Sequence, residues 1–358
     1  GGRGVNIKTI ISIVRELKLK IPEVKLEYVG PKSDFELLHK EGFKNHAIVA
    51  GKMRRYFSWK NTIDLPFKIP FSFLQSFFLL LLIKPDLVFS KGGTGSLPVT
   101  YCAKILSIPV FIHESDVAPG LSNRITSTWA KKVFTSFNTT EYFDSKKVLP
   151  VGNPIRKELL NVNKEEAKKM FGINSNKPVI FIFGGSQGAG PINEFLLLVI
   201  NQLLEKYEVI HVSGINNYKV FSIESKAILR DQSLKSSYHL YEFLNQVQLK
   251  NAYALCDIVI ARAGAGSIFE IAAIGKPSIL IPLPTSANNH QSKNSYQYAK
   301  SGASIVMEQA TLSEGYFMAE IESVIENSEK MSKCALSFAK PDASEKIVEE
   351  IEKFLRKK

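Results

Sequence analysis

Three stretches of this sequence place glycines where a strand hands over to a helix, an arrangement suited to holding phosphate. The clearest is Val179-Ile-Phe-Ile-Phe183 followed by Gly184-Gly185-Ser186-Gln187-Gly188-Ala189-Gly190-Pro191. A buried apolar strand runs into a turn whose glycines let a ligand approach the backbone closely. The next helix starts at Pro191 or Ile192, and proline fits a first helical turn because its missing N–H is no loss there. Free amides and the positive end of the helix dipole then suit an anion. The pattern is neither a dinucleotide GxGxxG nor a P-loop, since no Gly-Lys-Ser/Thr follows. A plain tight turn is the other reading.

The second stretch is Asp86-Leu-Val-Phe-Ser-Lys91-Gly92-Gly93-Thr94-Gly95-Ser96. The third is Asp257-Ile-Val-Ile-Ala-Arg262-Ala263-Gly264-Ala265-Gly266-Ser267-Ile268-Phe269-Glu270. A carboxylate at Glu270, about one turn into a helix, suits a ribose diol and would repel phosphate; a carboxylate answering the helix dipole is the alternative. All three turns fall at carboxyl ends of expected strands, the edge where open α/β sheets bind ligands. Pro284–Asn294, with His290 and Gln291, is dense in amide and imidazole groups suited to sugar hydroxyls, or is a solvated loop. His113-Glu114-Ser115-Asp116 ends another strand and offers a general base or a buried ion pair. The six histidines are scattered, with no metal-ligand spacing.

A fourth signal is of another kind. Gly51–Lys60 interleaves Lys52, Arg54, Arg55 and Lys60 with Tyr56, Phe57 and Trp59. That mixture suits an anionic membrane interface, the same charges suit nucleic acid, and the aromatics could instead pack inside. Net charge is +12, pointing to polyanionic partners or to a lysine-rich proteome. The apolar stretch Phe71–Ile83 is too short to span a bilayer, and residues 1–20 lack the order of a signal peptide. The expectation is a soluble protein that at most rests on a membrane. Three unrelated cysteines, Cys102, Cys256 and Cys334, point to a reducing compartment.

These sites need a scaffold of alternating short apolar strands and helices. Expected strands are Lys25–Val29, Asp86–Ser90, Pro109–His113, Lys132–Thr135, Val179–Phe183, Glu208–Val212, Asp257–Ala261, Ser278–Pro282 and Ser304–Met307. Helical stretches such as Ile192–Lys206 and Ile268–Ile274 lie between them. With 358 residues, two α/β domains of doubly wound parallel sheet are expected. The series divides at Val151-Gly-Asn-Pro-Ile-Arg156. Gly1-Gly2-Arg3-Gly4 reads as a turn before a helix of Ile7, Ile10, Ile11, Val14 and Leu17; either a first strand ahead of residue 1 is missing from this sequence, the favoured expectation, or this domain lacks one.

Taken together, these motifs resemble the bacterial peptidoglycan glycosyltransferases that move N-acetylglucosamine from UDP-N-acetylglucosamine to lipid I, giving lipid II. The resemblance rests on Gly51–Asn61, Lys84–Gly95, His113–Arg124, Gly152–Arg156, Gly184–Ala189, Arg262–Ala273, His290–Asn294 and Phe338–Ala343, in that order. It implies a GT-B fold of two Rossmann-like domains facing a cleft: residues 1–155 for acceptor and membrane, 156–335 for the donor, and 336–358 as a helix crossing back. It implies donor contacts at Arg156, Ser186, Gln187, Gly188, Leu244 (uracil), Ala265, Gly266, Ser267 and Ile268 (diphosphate), Glu270 (ribose), and His290 and Gln291 (sugar). The acceptor would meet Gly2, Arg3, Gly4, Asn6, Gly92, Gly93, Thr94 and Asp116, and the membrane Arg54, Arg55, Phe57 and Trp59. No metal or other cofactor is implied, and inversion at the anomeric carbon is.

One departure matters. The family's first turn carries a histidine where this chain has Asn6, which cannot act as a base near neutral pH and could cap the following helix. Asp116 is then the expected base. The implied partners are UDP-N-acetylglucosamine, lipid I, an anionic cytoplasmic membrane face, and cell-wall synthesis and division proteins, without nucleic acid. The alternatives are a GT-B transferase acting on a different lipid and a non-catalytic homologue that binds as a scaffold.

Overall fold

The computed structural model describes residues 5–49, 68–93, 95–138, 141–160, 163–185 and 188–356, the side chains of Val5 and Asn6 excepted. Its described residues divide into two compact units, those within 5–155 together with 341–356, and those within 156–340. The helix Ser328–Phe338 therefore stays with the second unit, and the chain rejoins the first at Pro341 rather than at 336.

The second unit is a six-stranded parallel sheet. Its strands are β7 (Val179–Phe183), β8 (Glu208–Val212), β9 (Tyr238–Tyr241), β10 (Ile258–Ala261), β11 (Ser278–Leu280) and β12 (Ser304–Val306), in spatial order β12-β11-β10-β7-β8-β9. Chain order reverses direction between β7 and β10, the switch point where doubly wound sheets bind ligands. Every residue of β7 and β10 is buried, which accounts for their unbroken apolar runs. Ile180, Ile182 and Ile258 pack against Leu196, Ile200 and Leu203 of the helix Gly190–Lys206.

The first unit holds β1 (Glu27–Gly30) paired parallel with β2 (Lys44–Ala47). A separate four-stranded parallel sheet holds β3 (Val88–Ser90), β4 (Val110–Glu114), β5 (Lys132–Thr135) and β6 (Val148–Pro150), in that order. The helix Val5–Lys20 serves two sub-cores at once. Ile7 and Val14 meet Leu38 and Phe43, while Ile13 and Leu17 meet Phe111, Ile347 and Ile351. The last two belong to the C-terminal helix Ala343–Leu355, whose buried face comes from Ile347, Val348 and Ile351 spaced three to four residues apart. Because the first helix starts at Val5, Asn6 lies in its first turn rather than at the capping position.

The apolar helix Ile69–Ile83 is inverted relative to an ordinary core helix. Ser72 and Ser76 are buried, their hydroxyls donating to the carbonyls of Ile69 and Ser72 at 2.7 Å, while Phe71, Leu74, Phe78 and Leu82 are 51–82% exposed. With β2 and Ile48 it lines a groove of about 570 Å³. No helix among the described residues is long and apolar enough to cross a membrane.

Candidate functional site

In the second unit the sites named from sequence gather at the carboxyl edge of the sheet. After β7, Gly185 and Gly188 have φ of +86° and +76°. A Cβ on Gly188 would stand 2.6 Å from both Asn217 Nδ2 and the Ser213 carbonyl, so the turn fits only with glycine there. Ser186 and Gln187 lie outside the described residues. The helix opens at Gly190, with Pro191 in its first turn.

Beneath this turn runs a buried chain of hydrogen bonds. Tyr238 O–H donates to His211 Nδ1 (2.8 Å), His211 Nε2–H to Asn193 Oδ1 (3.1 Å), and Asn193 Nδ2 to the Ser213 carbonyl (3.0 Å). Burial holds His211 neutral, its pKa lowered to about 3. His113 in the first unit is likewise held well below the usual range, by burial and then by the Lys91 charge. The unfolded chain protonates these groups below about pH 6.5 while the fold does not, so each removes up to about 1.4 kcal/mol per pH unit. Urea midpoints should fall as pH drops from 6.5 toward 4, and His211→Asn should reduce that slope by about one proton.

After β10, the helix Ala265–Ala273 begins three residues earlier than its apolar pattern suggests, so Ala265, Gly266, Ser267 and Ile268 form its own first turn. The amides of Ala265, Gly266 and Ser267 have no partner within the helix and suit a diphosphate, whereas Ile268 N–H donates to the Gly264 carbonyl (3.1 Å). Arg262 takes a different place. It is buried, donating from Nη1 to the carbonyls of Ile281 and Pro282 (3.1 and 3.0 Å) and from Nη2 to Gln309 Oε1 (2.6 Å). It ties the end of β10 to the segment after β11 and to Gln309.

Glu270 stands in the second turn of that helix and meets Arg156, 114 residues earlier. Arg156 Nε and Nη2 donate to Glu270 Oε1 at 2.9 and 2.7 Å, and both side chains are more than four-fifths buried. The other carboxylate oxygen, Oε2, has the chemistry to accept from a diol. His290 opens the helix His290–Ala299, approached through Asn288 and Asn289, both left-handed. Gln291 Oε1 accepts the Leu283 amide at 3.0 Å, so its NH2 group is the part with the chemistry to meet a sugar hydroxyl. Leu244 is buried after β9, between the exposed Phe243 and Asn245, which forms a capping box with Gln248.

In the first unit, Gly92 and Gly93 follow β3 with φ of +77° and +105°. Their amides are not open to a phosphate as expected, because Gly92 N–H donates to Ser90 Oγ (3.0 Å) and Gly93 N–H to Ser122 Oγ (3.1 Å). A phosphate there must displace or share these hydroxyls. Gly2, Arg3, Gly4, Thr94, Arg54, Arg55, Phe57 and Trp59 lie outside the described residues, as does the Asn6 side chain.

His113 is no base. It is fully buried, Nδ1 accepts from Lys91 (2.6 Å), and Nε2–H donates to the Gly152 carbonyl (3.0 Å). Glu114 is buried as well and organises the loop after β4. Oε1 accepts the Asp116 amide (3.0 Å), while Oε2 accepts the Gly120 amide (3.2 Å) and Asn123 Nδ2 (2.9 Å). Burial, then the Asp116 charge, pushes its carboxyl above the usual range, and these donors oppose the shift. Asp116 is half-buried at the rim of this loop. Lys91, Ser115, Asn123 and Asn153 stand inside the quoted motifs, but the sequence assigned them no role. The only sequence signal for Lys91 was a cation immediately after a buried strand.

Residues 1–135 match the glycosyltransferase family 28 N-terminal domain and residues 179–347 its C-terminal domain. The chain is 36% identical over 358 residues to the UDP-N-acetylglucosamine--N-acetylmuramyl-(pentapeptide) pyrophosphoryl-undecaprenol N-acetylglucosamine transferase of Clostridium tetani, covering 99% of this chain and 96% of that one. The chain belongs to glycosyltransferase family 28. Among solved structures it is similar to MurG of Acinetobacter baumannii, with a TM-score of 0.76 at 23% identity over 98% and 97% of the two chains. It is also similar to a Neisseria meningitidis UDP-GlcNAc 2-epimerase bound to UDP-GlcNAc, with a TM-score of 0.66 at 17% identity over 97% of each chain. The α/β GT-B fold expected from the motifs is the fold of this family 28 chain.

Proposed function

We propose that this family 28 glycosyltransferase moves N-acetylglucosamine from UDP-N-acetylglucosamine to the muramoyl sugar of lipid I, forming lipid II. The observation that carries the reading is near-full-length identity of 36% to transferases of that name. The donor edge of the second unit has the chemistry the reading needs. The first turn of Ala265–Ala273 offers amides to the diphosphate, Glu270 Oε2 a carboxylate oxygen to the ribose, and His290 and the Gln291 amide polar groups to the sugar.

In the transfer, the acceptor's 4-hydroxyl loses its proton to Asp116 and attacks the anomeric carbon. The bond from that carbon to the diphosphate breaks with inversion, and helix-end amides stabilise the charge on departing UDP without a metal. The exposed phenylalanines and leucines of Ile69–Ile83 rest on the cytoplasmic face of the membrane, where the acceptor resides. The basic segment 51–60 adds attraction to anionic headgroups.

The test is transfer of labelled N-acetylglucosamine to a short-chain lipid I analogue in EDTA, with UDP-glucose as a competing donor. Product from the first donor and little from the second is expected; efficient transfer of glucose would overturn the reading. Replacing Phe71, Leu74 and Phe78 together by Asp should abolish sedimentation with anionic vesicles while transfer to a soluble acceptor persists.

A further inference from the structure

Lys91 is buried at 8% exposure at the end of β3, where a lysine has no ordinary reason to be. Its ammonium donates to His113 Nδ1 at 2.6 Å and to Ser115 Oγ. Ser115 Oγ–H donates to Asn153 Oδ1 (3.0 Å), which also accepts from Ser136 Oγ (3.3 Å), and His113 Nε2–H donates to the Gly152 carbonyl. One cation thus joins the ends of β3 and β4 and, through two short relays, the segment after β6. Its direct partners are neutral. The charges that act on it are Glu114 and Asp116, on either side of Ser115.

An apolar side chain could fill this space at no electrostatic cost, and buried ions are seldom kept for stability alone. What only a cation supplies is a field. Two carboxylates sit within two residues of each other, one buried, and a fixed positive charge favours the ionised form of both.

We propose that Lys91 is the positioning residue of this carboxylate cluster. Its ammonium pins the strand end 113–116 through His113 and Ser115 and balances Glu114 and Asp116, so that Asp116 stands ionised and in place. The proposal rests on the reading of Asp116 as proton acceptor. In that step the O–H bond of the attacking hydroxyl breaks, its proton goes to an Asp116 oxygen, and its electron pair forms the bond to the anomeric carbon. The diphosphate oxygen leaves with the electrons of the broken bond.

Burial lowers the Lys91 ammonium to about 8, against the pull of Glu114 and then Asp116, which places its titration within the range of an enzyme assay. His113 beside it is held neutral and contributes no competing charge.

The experiment measures kcat and KM from pH 5.5 to 10 for the full chain and its Lys91→Arg, Lys91→Met and Asp116→Asn variants. The donor is UDP-N-acetylglucosamine and the acceptor a short-chain lipid I analogue. The unsubstituted chain should lose kcat on the alkaline side as Lys91 gives up its proton. Lys91→Arg, which keeps the charge, should lose that limb or move it up by at least about one unit. Lys91→Met should lower kcat ~10–100-fold at pH 7 with donor KM nearly unchanged. Its acid limb should rise by about one unit, because a carboxylate without its cation is harder to ionise.

A Lys91→Arg profile with the original alkaline limb, or an unmoved acid limb in Lys91→Met, would overturn the proposal. If Lys91→Met does not fold, the Lys91→Arg profile decides alone. Near-normal turnover of Asp116→Asn would remove Asp116 from the base role and the proposal with it. Inactive Asp116→Asn beside unchanged Lys91 profiles would remove Lys91 only.

Discussion

Glu114→Gln should destabilise the first unit by about 1–3 kcal/mol and slow turnover ~100-fold with the KM for UDP-N-acetylglucosamine unchanged. Three N–H donors converge on this carboxylate: the Asp116 and Gly120 amides and Asn123 Nδ2. An ionised carboxylate accepts on both oxygens, whereas glutamine turns an NH2 group toward at least one donor. A donor facing a donor loses a hydrogen bond and leaves a buried polar group unmatched. The loop from Ser115 to Gly120 then loses its anchor, and Asp116 moves with it. Donor KM stays because the groups assigned to the donor lie in the second unit. Urea titration together with steady-state kinetics checks both halves. Unchanged stability with unchanged kcat would mean that the loop is held by something else.

Glu270→Ala should raise the KM for UDP-N-acetylglucosamine ~10–100-fold, the worth of about 1.5–3 kcal/mol for hydrogen bonds to a charged group. The substitution also strips Arg156, only 12% exposed, of the carboxylate that holds its guanidinium by two bonds. Binding of UDP and of its 2′-deoxy analogue by calorimetry separates the two effects. The unsubstituted chain should favour the ribonucleotide about tenfold or more, and Glu270→Ala should bind both alike. A variant that keeps the preference would show that another group reads the ribose, leaving Glu270 as the partner of Arg156 only. Arg156→Lys should fall between, since a lysine cannot reproduce the two-pronged contact that orients the carboxylate.

Much of the scaffold was legible in the chain because strands buried on both faces must be continuously apolar. β5, β7 and β8 fall where the apolar runs place them, and most others shift by one or two residues. The strands that went unread, β2, β6 and β9, lack that signature. Lys44-Asn-His-Ala47 is polar, Val148-Leu-Pro150 is three residues ending in proline, and Tyr238-His-Leu-Tyr241 has only partly buried positions. All three are edge strands of their sheets, whose pairing supplies what local pattern does not.

By itself the sequence determined the alternation of strand and helix, the glycine-rich turns at the strand ends, and the order of motifs marking family 28. These are local requirements: a turn with positive φ excludes most side chains wherever it occurs. Tertiary structure alone decided which polar groups remain for chemistry. The glycine turn at 92–93 looks open yet carries serine hydroxyls on its amides, and Arg262, just ahead of the helix Ala265–Ala273, is spent on two carbonyls and Gln309. Glu270 finds Arg156 across 114 residues, and Lys91 turns inward to a histidine and a serine. Helix Ile69–Ile83 hides its serines and exposes its phenylalanines. In each case the deciding quantity is the partner a side chain meets in space, and residues far apart in the chain supply that partner.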